Sequence, residues 1–470
     1  MTVPPSALQK PITKLTSLTY DELLVGQCAS VNRILTQTDV DLFAAVSGNM
    51  DPLHSPSGLQ QAGNSRSVGH DMWAGALFSG LLGSRLPGPG TIYRAQHLSF
   101  HAPIPVGVSL TATITVRSKT IDADGNKLVT FDCLLSNPDG AILVKGSADV
   151  MPPQRRGDQP GRILPQFLSV AHDQLASLQA QCGALDPLPT AVIYPCDRIA
   201  LESACEGARL GLIKPVLVGP QDVITAIARE NDLDIGAFRL VDARHEKDAA
   251  NKGVGLASSG EVGAVMKGAL HTDELMTAVV RRDSGLRTYR RISHVFVMNV
   301  PSFHKPLLIT DGVVNISPNA DDKAHIIQNA VGLANVLGIE TPKVAILSAL
   351  ETVNPKISST VDAAVLCKMA DRGQIRGAIL DGPLAFDNAI SKEAALTKGI
   401  KSEVAGDPDI LLAPDLASAN MLVKQLSFLA HADAAGIVLG AAVPVILTSR
   451  ADNLSARLAS CALAVLLTNK

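Results

Sequence analysis

The sequence predicts two joined domains: an α+β unit in which an antiparallel sheet wraps one buried helix, then an α/β unit with mostly parallel sheets. Three observations predict this. A long apolar run at 71–86 (DMWAGALFSGLLGSRL) is followed by three alternating stretches at 108–121, 127–137 and 141–150. A second, longer region alternates short apolar strands with helical segments, the pattern of a sheet covered by helices. Between the two, 151–165 (MPPQRRGDQPGRILP) is rich in Pro, Gly, Arg and Gln, which is linker chemistry.

In the first unit, TQTDVDLFAAVSG (36–48) reads as a helix. Thr38 is its expected cap, and Val40, Phe43, Ala44 and Val46 are its apolar face. The run 71–86 is long enough for a buried helix. Its small residues at 74–76, 79–80 and 83–84 allow another backbone to approach. DADGN (122–126) and NPDG (137–140) are turn signals between the strands that follow.

In the second unit, strands are expected at 215–219, 262–268, 294–300, 305–312, 343–349, 377–382, 410–414 and 443–449, with helices such as 323–339 and 415–430 between them. Ligands of such sheets bind outside the carboxyl ends of the strands. The polar residues that end these stretches are therefore candidate site residues: Lys267, Asp311, Asp381, Ser449 and Arg450.

Composition bounds the function. Of 470 residues, 46% are hydrophobic and 18% charged, so there is material for packed cores and not the make-up of a disordered chain. Aromatics are only 3%, and cores of Ala, Val, Leu and Ile suit covered parallel sheets. The net charge of -3 offers no basic excess for a nucleic-acid backbone. An anionic small ligand needs only a few local Arg or Lys groups. The seven cysteines are scattered and form no CxxC pair, so reduced thiols are expected and metal ligands are not. No signal-peptide core opens the chain. The apolar tract 436–448 is too short to cross a bilayer and reads as buried strand. A soluble, cytoplasmic protein is expected.

SGNMDPLHS (47–55), VGHDMWAGAL (68–77) and LPGPGTIYRAQHLSFHAPIPVG (86–107) together resemble R-specific enoyl-CoA hydratases, the MaoC-like group with a hot-dog fold. The resemblance covers about 20–150. It implies a base that activates water, an acid for the α-carbon, and N–H donors aimed at the thioester oxygen. His54 keeps the family position. Asn49 stands where the family has its catalytic Asp, and Asp51 stands where it has Asn. Asp71 replaces the Gly after the helix-start His, beside the expected oxyanion donor near His70. Two readings follow: a hydratase (a lyase) centred on His54, with Asp51 taking the carboxylate role, or a non-catalytic acyl-CoA-binding or regulatory module.

Residues 190–470 resemble phosphate acetyl- and butyryltransferases along their length, nearer in wording to the butyryl branch. The matching stretches include MKGALHTDELM (266–276), SGLRTYRRISHVFVMNVP (284–301), LLITDGVVNISPN (307–319), ETVNPKI (351–357), ILDGPLAFDNAIS (379–391), DILLAPDLASANMLVK (409–424) and PVILTSRADN (444–453). The resemblance implies that Ser449 bonds the CoA sulfur and Arg450 holds phosphate. Arg287, Arg290 and Arg291 form a basic cluster fit for phosphate oxygens. Lys267 is a further candidate anion ligand, and His271 and Thr272 follow at an expected helix start, where N–H groups and the dipole favour anions. Asp381 is counted with the substrate-binding residues. The acetyl branch has an Asp where this chain has Ala456, so the base stays open between Asp452, Asp311 and Asp387.

The combined expectation is a bifunctional protein. A hot-dog domain at 15–150 and a linker at 151–189 precede a phosphotransacetylase-like α/β domain of two subdomains at 190–470. Its substrates are CoA thioesters and phosphate, with no tightly bound cofactor and no metal. No nucleic-acid or membrane partner is expected, and the subunits form a homo-oligomer, a dimer or larger.

Overall fold

A computed structural model describes residues 14–54, 68–160, 178–448 and 452–469. Two compact units divide between Ser169 and Val170.

The first unit is a five-stranded antiparallel sheet around one helix. A short ribbon pairs β1 (Lys14–Ser17) with β7 (Gly157–Pro160). The main sheet contains β2 (Cys28–Ile34), β3 (Ile92–Phe100), β4 (Ser109–Ile121), β5 (Lys127–Ser136) and β6 (Ile142–Met151), in the order β2-β4-β5-β6-β3. Strand β5 shows why the sheet has one apolar face. Val129, Phe131, Cys133 and Leu135 are buried while the residues between them are not, the period of two expected of a half-buried strand. These residues share a core with Trp73, Ala74, Phe78, Leu81 and Leu82 of the helix Trp73–Ser84. A sheet wrapped on a central helix is the hot-dog arrangement. The two turn signals behave as expected: Asp122 accepts the amides of Asp124 and Asn126, and Asn137 accepts that of Ala141.

The second unit is built on one eleven-stranded sheet. Its strands are β8 (Leu188–Ile193), β9 (Ile213–Gly219), β10 (Arg239–Asp242), β11 (Ala264–Lys267), β12 (Ser293–Asn299), β13 (Leu307–Thr310), β14 (Lys343–Leu347), β15 (Ile379–Leu384), β16 (Ile410–Leu412), β17 (Asp433–Leu439) and β18 (Val445–Ile446). They lie in the order β10-β9-β8-β11-β18-β17-β12-β13-β16-β14-β15. Five parallel strands (β10 to β18) and four parallel strands (β13 to β15) are joined through β17 and β12, whose pairings are all antiparallel. The sheet is therefore mostly parallel in two blocks, and the blocks run in opposite directions. The carboxyl ends of β8, β9, β11 and β18 face one edge. Those of β13, β14, β15 and β16 face the other.

Several expectations are corrected. Thr36, not Thr38, caps the helix Gln37–Ser47, in a reciprocal capping box with Asp39. Asp39, three residues after Thr36, closes the box; Thr38 has Asp41 at the same spacing but lies inside the helix, past the point where a cap can act. Val46 is 89% exposed, so the helix buries Val40 and not its last turn. The start of the expected linker is structured: β7 closes the ribbon with β1, supported by Asp158 bonds to Lys14 and Thr16. Strands β8 and β10 were not anticipated. Among the described residues, no helix is long and apolar enough to cross a membrane.

Candidate functional site

In the first unit, the loop after Gln37–Ser47 folds back through a single 3-10 turn, Pro52–His54. It brings Asn49 and His54 to His70, just before the central helix. Gly69 is required there: a Cβ would sit 2.2 Å from Leu35 Cδ2, and its amide donates to Ile104 O at 2.8 Å. Asn49 Nδ2 lies 3.2 Å from His70 Nδ1. The rings of His54 and His70 are 3.8 Å apart between centroids, and His54 Nδ1 is 2.9 Å from Val68 O. Asp51, the expected carboxylate, lies in this loop, and its charge acts on His70. Its Oδ1 accepts the Leu53 amide at 3.0 Å and so caps its own turn. Asp71 is exposed beside the helix start. His70 is the member that sequence reasoning missed as a side chain. Its position next to the helix start is the signal in the sequence, where it points to the backbone N–H and not to the ring.

In the second unit, a cavity of about 820 Å³ opens at the carboxyl ends of β13, β14 and β16. Each wall comes from a segment that follows a strand. Ser317, Pro318 and Asn319 follow β13, Ser348 and Ala349 follow β14, and Ala413, Pro414 and Asp415 follow β16. Phe386, just past β15, also lines it. Three helices begin at this cavity. Asn319 caps Ala320–Val336, Asp415 caps Leu416–Leu429, and Ser358–Asp371 starts there without a side-chain cap. Helix starts present unpaired N–H groups and a partial positive charge, which favour anions. Lys323, 3% exposed, adds a cation on the wall, paired with Asp362 at 2.6 Å.

The candidate residues divide between the two edges of the sheet. Arg287, Arg290 and Arg291 precede β12, which starts at the edge that carries the cavity. Arg291 donates from Nε to Asn315 Oδ1 at 2.6 Å and pairs with Asp322 at 2.8 Å. It thereby braces the segment that runs into the helix capped by Asn319. Arg287 is exposed and forms a backbone bridge with Ala441, and Arg290 packs on Tyr289. Asp311, at the same edge, is buried. Its carboxylate accepts the amides of His294, Val313, Val314 and Asn315, and the Asn315 side chain. Burial pushes its pKa up while these donors pull the other way. Both of its oxygens are engaged by donors of its own chain.

Lys267 lies at the opposite edge. It ends β11 and is 4% exposed. Gly268 beside it lets the chain pass Ile193 O, which would sit 2.4 Å from any Cβ there. His271, exposed, begins the helix Thr272–Val280 just beyond, followed by Thr272. Lys267 and the arginines are thus not brought together, because the two strand blocks run in opposite directions. Asp381 does not end a strand. It sits inside β15 opposite Ala345 and accepts the Gly382 amide. Asp387 pairs with Lys398, which lowers its pKa. Ser449 and Arg450 lie outside the described residues. Asp452 precedes the helix Leu454–Thr468, and its carbonyl accepts Arg457 Nε at 3.3 Å. Arg457, 4% exposed, has its pKa lowered by burial.

Fold and cavity together define an α/β protein whose pocket is assembled from strand-end segments, joined to a hot-dog unit. The family model described as phosphate acetyl/butaryl transferase matches residues 243–465, and that of the MaoC like domain matches 26–133. A phosphate acetyltransferase of Rhizobium meliloti is 55% identical over 289 residues, 62% of this chain and 92% of that protein. A phosphate butyryltransferase of Clostridium acetobutylicum is 42% identical over 276 residues, 59% of this chain and 92% of that protein. The crystal structure of a branched-chain phosphotransacylase from Enterococcus faecalis matches with 28% identity and a TM-score of 0.53, covering 60% of this chain and 99% of that one. The chain belongs to the phosphate acetyl/butyryltransferase family, and its first unit carries a MaoC-like domain.

Proposed function

We propose that the second unit transfers a short acyl group between coenzyme A and inorganic phosphate. One observation carries this reading: three of the segments that resemble the family, 307–319, 379–391 and 409–424, contribute to one cavity with three helix starts and a buried lysine. In the reaction a phosphate oxygen attacks the thioester carbonyl carbon. The C–S bond then breaks, leaving acyl phosphate and CoA thiolate. Both phosphate and thiolate are anions, so positioning and positive potential supply most of the catalysis. Helix N–H groups and Lys323 suit that task. The resemblance gives Ser449 the sulfur and Arg450 the phosphate, on the segment that follows β18, whose carboxyl end faces the edge opposite the cavity; that edge and the cavity are rival places for the transfer. No tightly bound cofactor is needed. A cytoplasmic homo-oligomer remains the expected setting.

Release of CoA from acetyl-, butyryl- and longer acyl-CoA, with and without phosphate, tests the reading. Phosphate-dependent release that is lost in Arg450→Ala is expected. No release with any chain length, or release untouched in Arg450→Ala, would contradict it.

For the first unit, the grouping of His54, Asn49 and His70 under the MaoC-like resemblance supports hydration of a 2-enoyl-CoA. Asn49, which supplies no carboxylate, favours the rival reading of a non-catalytic acyl-CoA module. Loss of the enoyl absorbance of crotonyl-CoA above a His54→Ala control decides for the hydratase.

A further inference from the structure

The first unit holds a buried imidazole that the hydration reading leaves without a role. His70 is 2% exposed, and its Nε2 has no hydrogen-bond partner. Its neighbours fix where its proton sits. Asn49 is held at both ends of its amide. Oδ1 accepts the Asp51 amide at 3.1 Å, so the NH2 is the end facing His70 Nδ1 at 3.2 Å. An NH2 group donates and does not accept. His70 Nδ1 is therefore the acceptor, and the neutral ring carries its proton on Nε2. His54 is fixed in the reverse sense. Its Nδ1 faces the carbonyl of Val68 at 2.9 Å. A carbonyl accepts only, so Nδ1 holds the proton and Nε2 keeps the lone pair.

The two rings lie 3.8 Å apart with a 41° tilt, and Phe43 packs 5.2 Å from the far ring. Burial first, then the nearby His54, lowers the His70 pKa, while the backbone carbonyl of Val40 and the charges of Asp51 and Asp41 pull it up. We propose that His70 is a positioning residue for His54: clamped by the Asn49 amide, which takes up the lone pair of its Nδ1, it packs against the His54 ring and leaves the lone pair of His54 on Nε2. The catalytic meaning of this arrangement rests on the hydration reading; the arrangement itself does not. Asn49 then has a definite task. A carboxylate at 49 would accept where the amide donates, and would move the His70 proton to Nδ1.

The test uses the full chain labelled with ¹³C,¹⁵N-histidine, whose ring shifts report the tautomer of each imidazole. His54 and His70 signals are assigned with His54→Gln and His70→Gln. In the unsubstituted chain near neutral pH, His54 is expected as the Nδ1–H form and His70 as the neutral Nε2–H form. Asn49→Asp, a change at an exposed position, moves His70 to the Nδ1–H or charged form. His70→Phe, which keeps a flat ring, preserves the His54 tautomer, and His70→Gln leaves it mixed. A charged or Nδ1–H His70 in the unsubstituted chain overturns the proposal, as does a His54 tautomer indifferent to His70→Gln. Kinetics with crotonyl-CoA separate the two claims. In an active chain, His70→Gln lowers kcat about 10²-fold with KM little changed, and His70→Phe recovers much of the loss. An unchanged kcat in His70→Gln overturns the positioning role. The expected tautomers without any hydration defeat the hydration reading and leave the imidazole arrangement standing.

Discussion

Lys323 Nζ lies 2.6 Å from Asp362 Oδ2 on the wall of the cavity, and the lysine is 3% exposed. The pair sets a cationic side chain into a wall that otherwise carries the Asp362 and Asp415 carboxylates. Lys323→Met is expected to raise the KM for phosphate or CoA about tenfold, a loss of about 1.4 kcal/mol. It also strands Asp362, costing about 2–3 kcal/mol of stability. Lys323→Arg should recover part of both. Steady-state kinetics and chemical denaturation check the pair, and a KM unchanged in a folded Lys323→Met protein removes this lysine from the site.

Asp311 is expected to behave as a brace. Asp311→Asn replaces a carboxylate with an amide among donors that all need acceptors. One oxygen is lost and an N–H meets an N–H. A loss of about 2–4 kcal/mol of stability follows, with no displacement of the pH–rate profile in the protein that remains folded. A shifted profile with little loss of stability would return Asp311 to the list of bases.

Asp407 gives a pH-dependent prediction away from the site. It bonds Lys343 at 2.8 Å and Lys305 at 2.9 Å. Burial raises its pKa, but these ammonium groups outweigh burial and hold it at about 2. A depressed carboxylate stabilises the fold above its unfolded value of about 3.9, and that contribution is lost as pH falls through the folded value. Asp407→Asn is expected to cost about 2 kcal/mol at neutral pH, and the difference from the unsubstituted protein should close between about pH 4 and pH 2. A difference that stays constant over that range contradicts the assignment.

Gly436 tests packing beside the strand that leads to Ser449. A Cβ there would lie 2.9 Å from the His294 ring and 3.3 Å from Leu447 O. His294 is fully buried, and burial holds its pKa down at about 3, so its ring cannot escape toward water. Gly436→Ala is expected to cost about 1–3 kcal/mol, read by thermal unfolding. A neutral effect would mean that β12 and β17 can separate at this point.

Much of the fold was legible because it rests on periodicity. The alternation of Val129, Phe131, Cys133 and Leu135 announces a one-faced sheet, and apolar runs such as 307–310 and 343–347 announce buried strands. Direction was not legible. Nothing local in β12 or β17 marks them as antiparallel, yet their pairing reverses the second block and sends Lys267 and Asp311 to opposite edges. The site was legible as motifs and not as side chains. Ser317, Ser348 and Asp415 look like ordinary turn and cap residues in sequence. They become neighbours only because β13, β14 and β16 end together. Charged residues stand out in sequence, yet several of them, Arg291, Asp311 and Asp387 among them, bond to their own protein. His70 was hidden for the opposite reason: its role depends on two contacts, with Asn49 and His54, made by a loop that folds back.

Amide hydrogen exchange of the full chain, with and without CoA and phosphate together, tests most directly whether the cavity at the ends of β13, β14 and β16 is the acyl-transfer site. Slower exchange is expected at the helix starts beside Asn319, Ser358 and Asp415, and in the segment after Leu347. Unchanged exchange at all of them, in a preparation that still transfers acyl groups to phosphate, would place the reaction elsewhere in the chain.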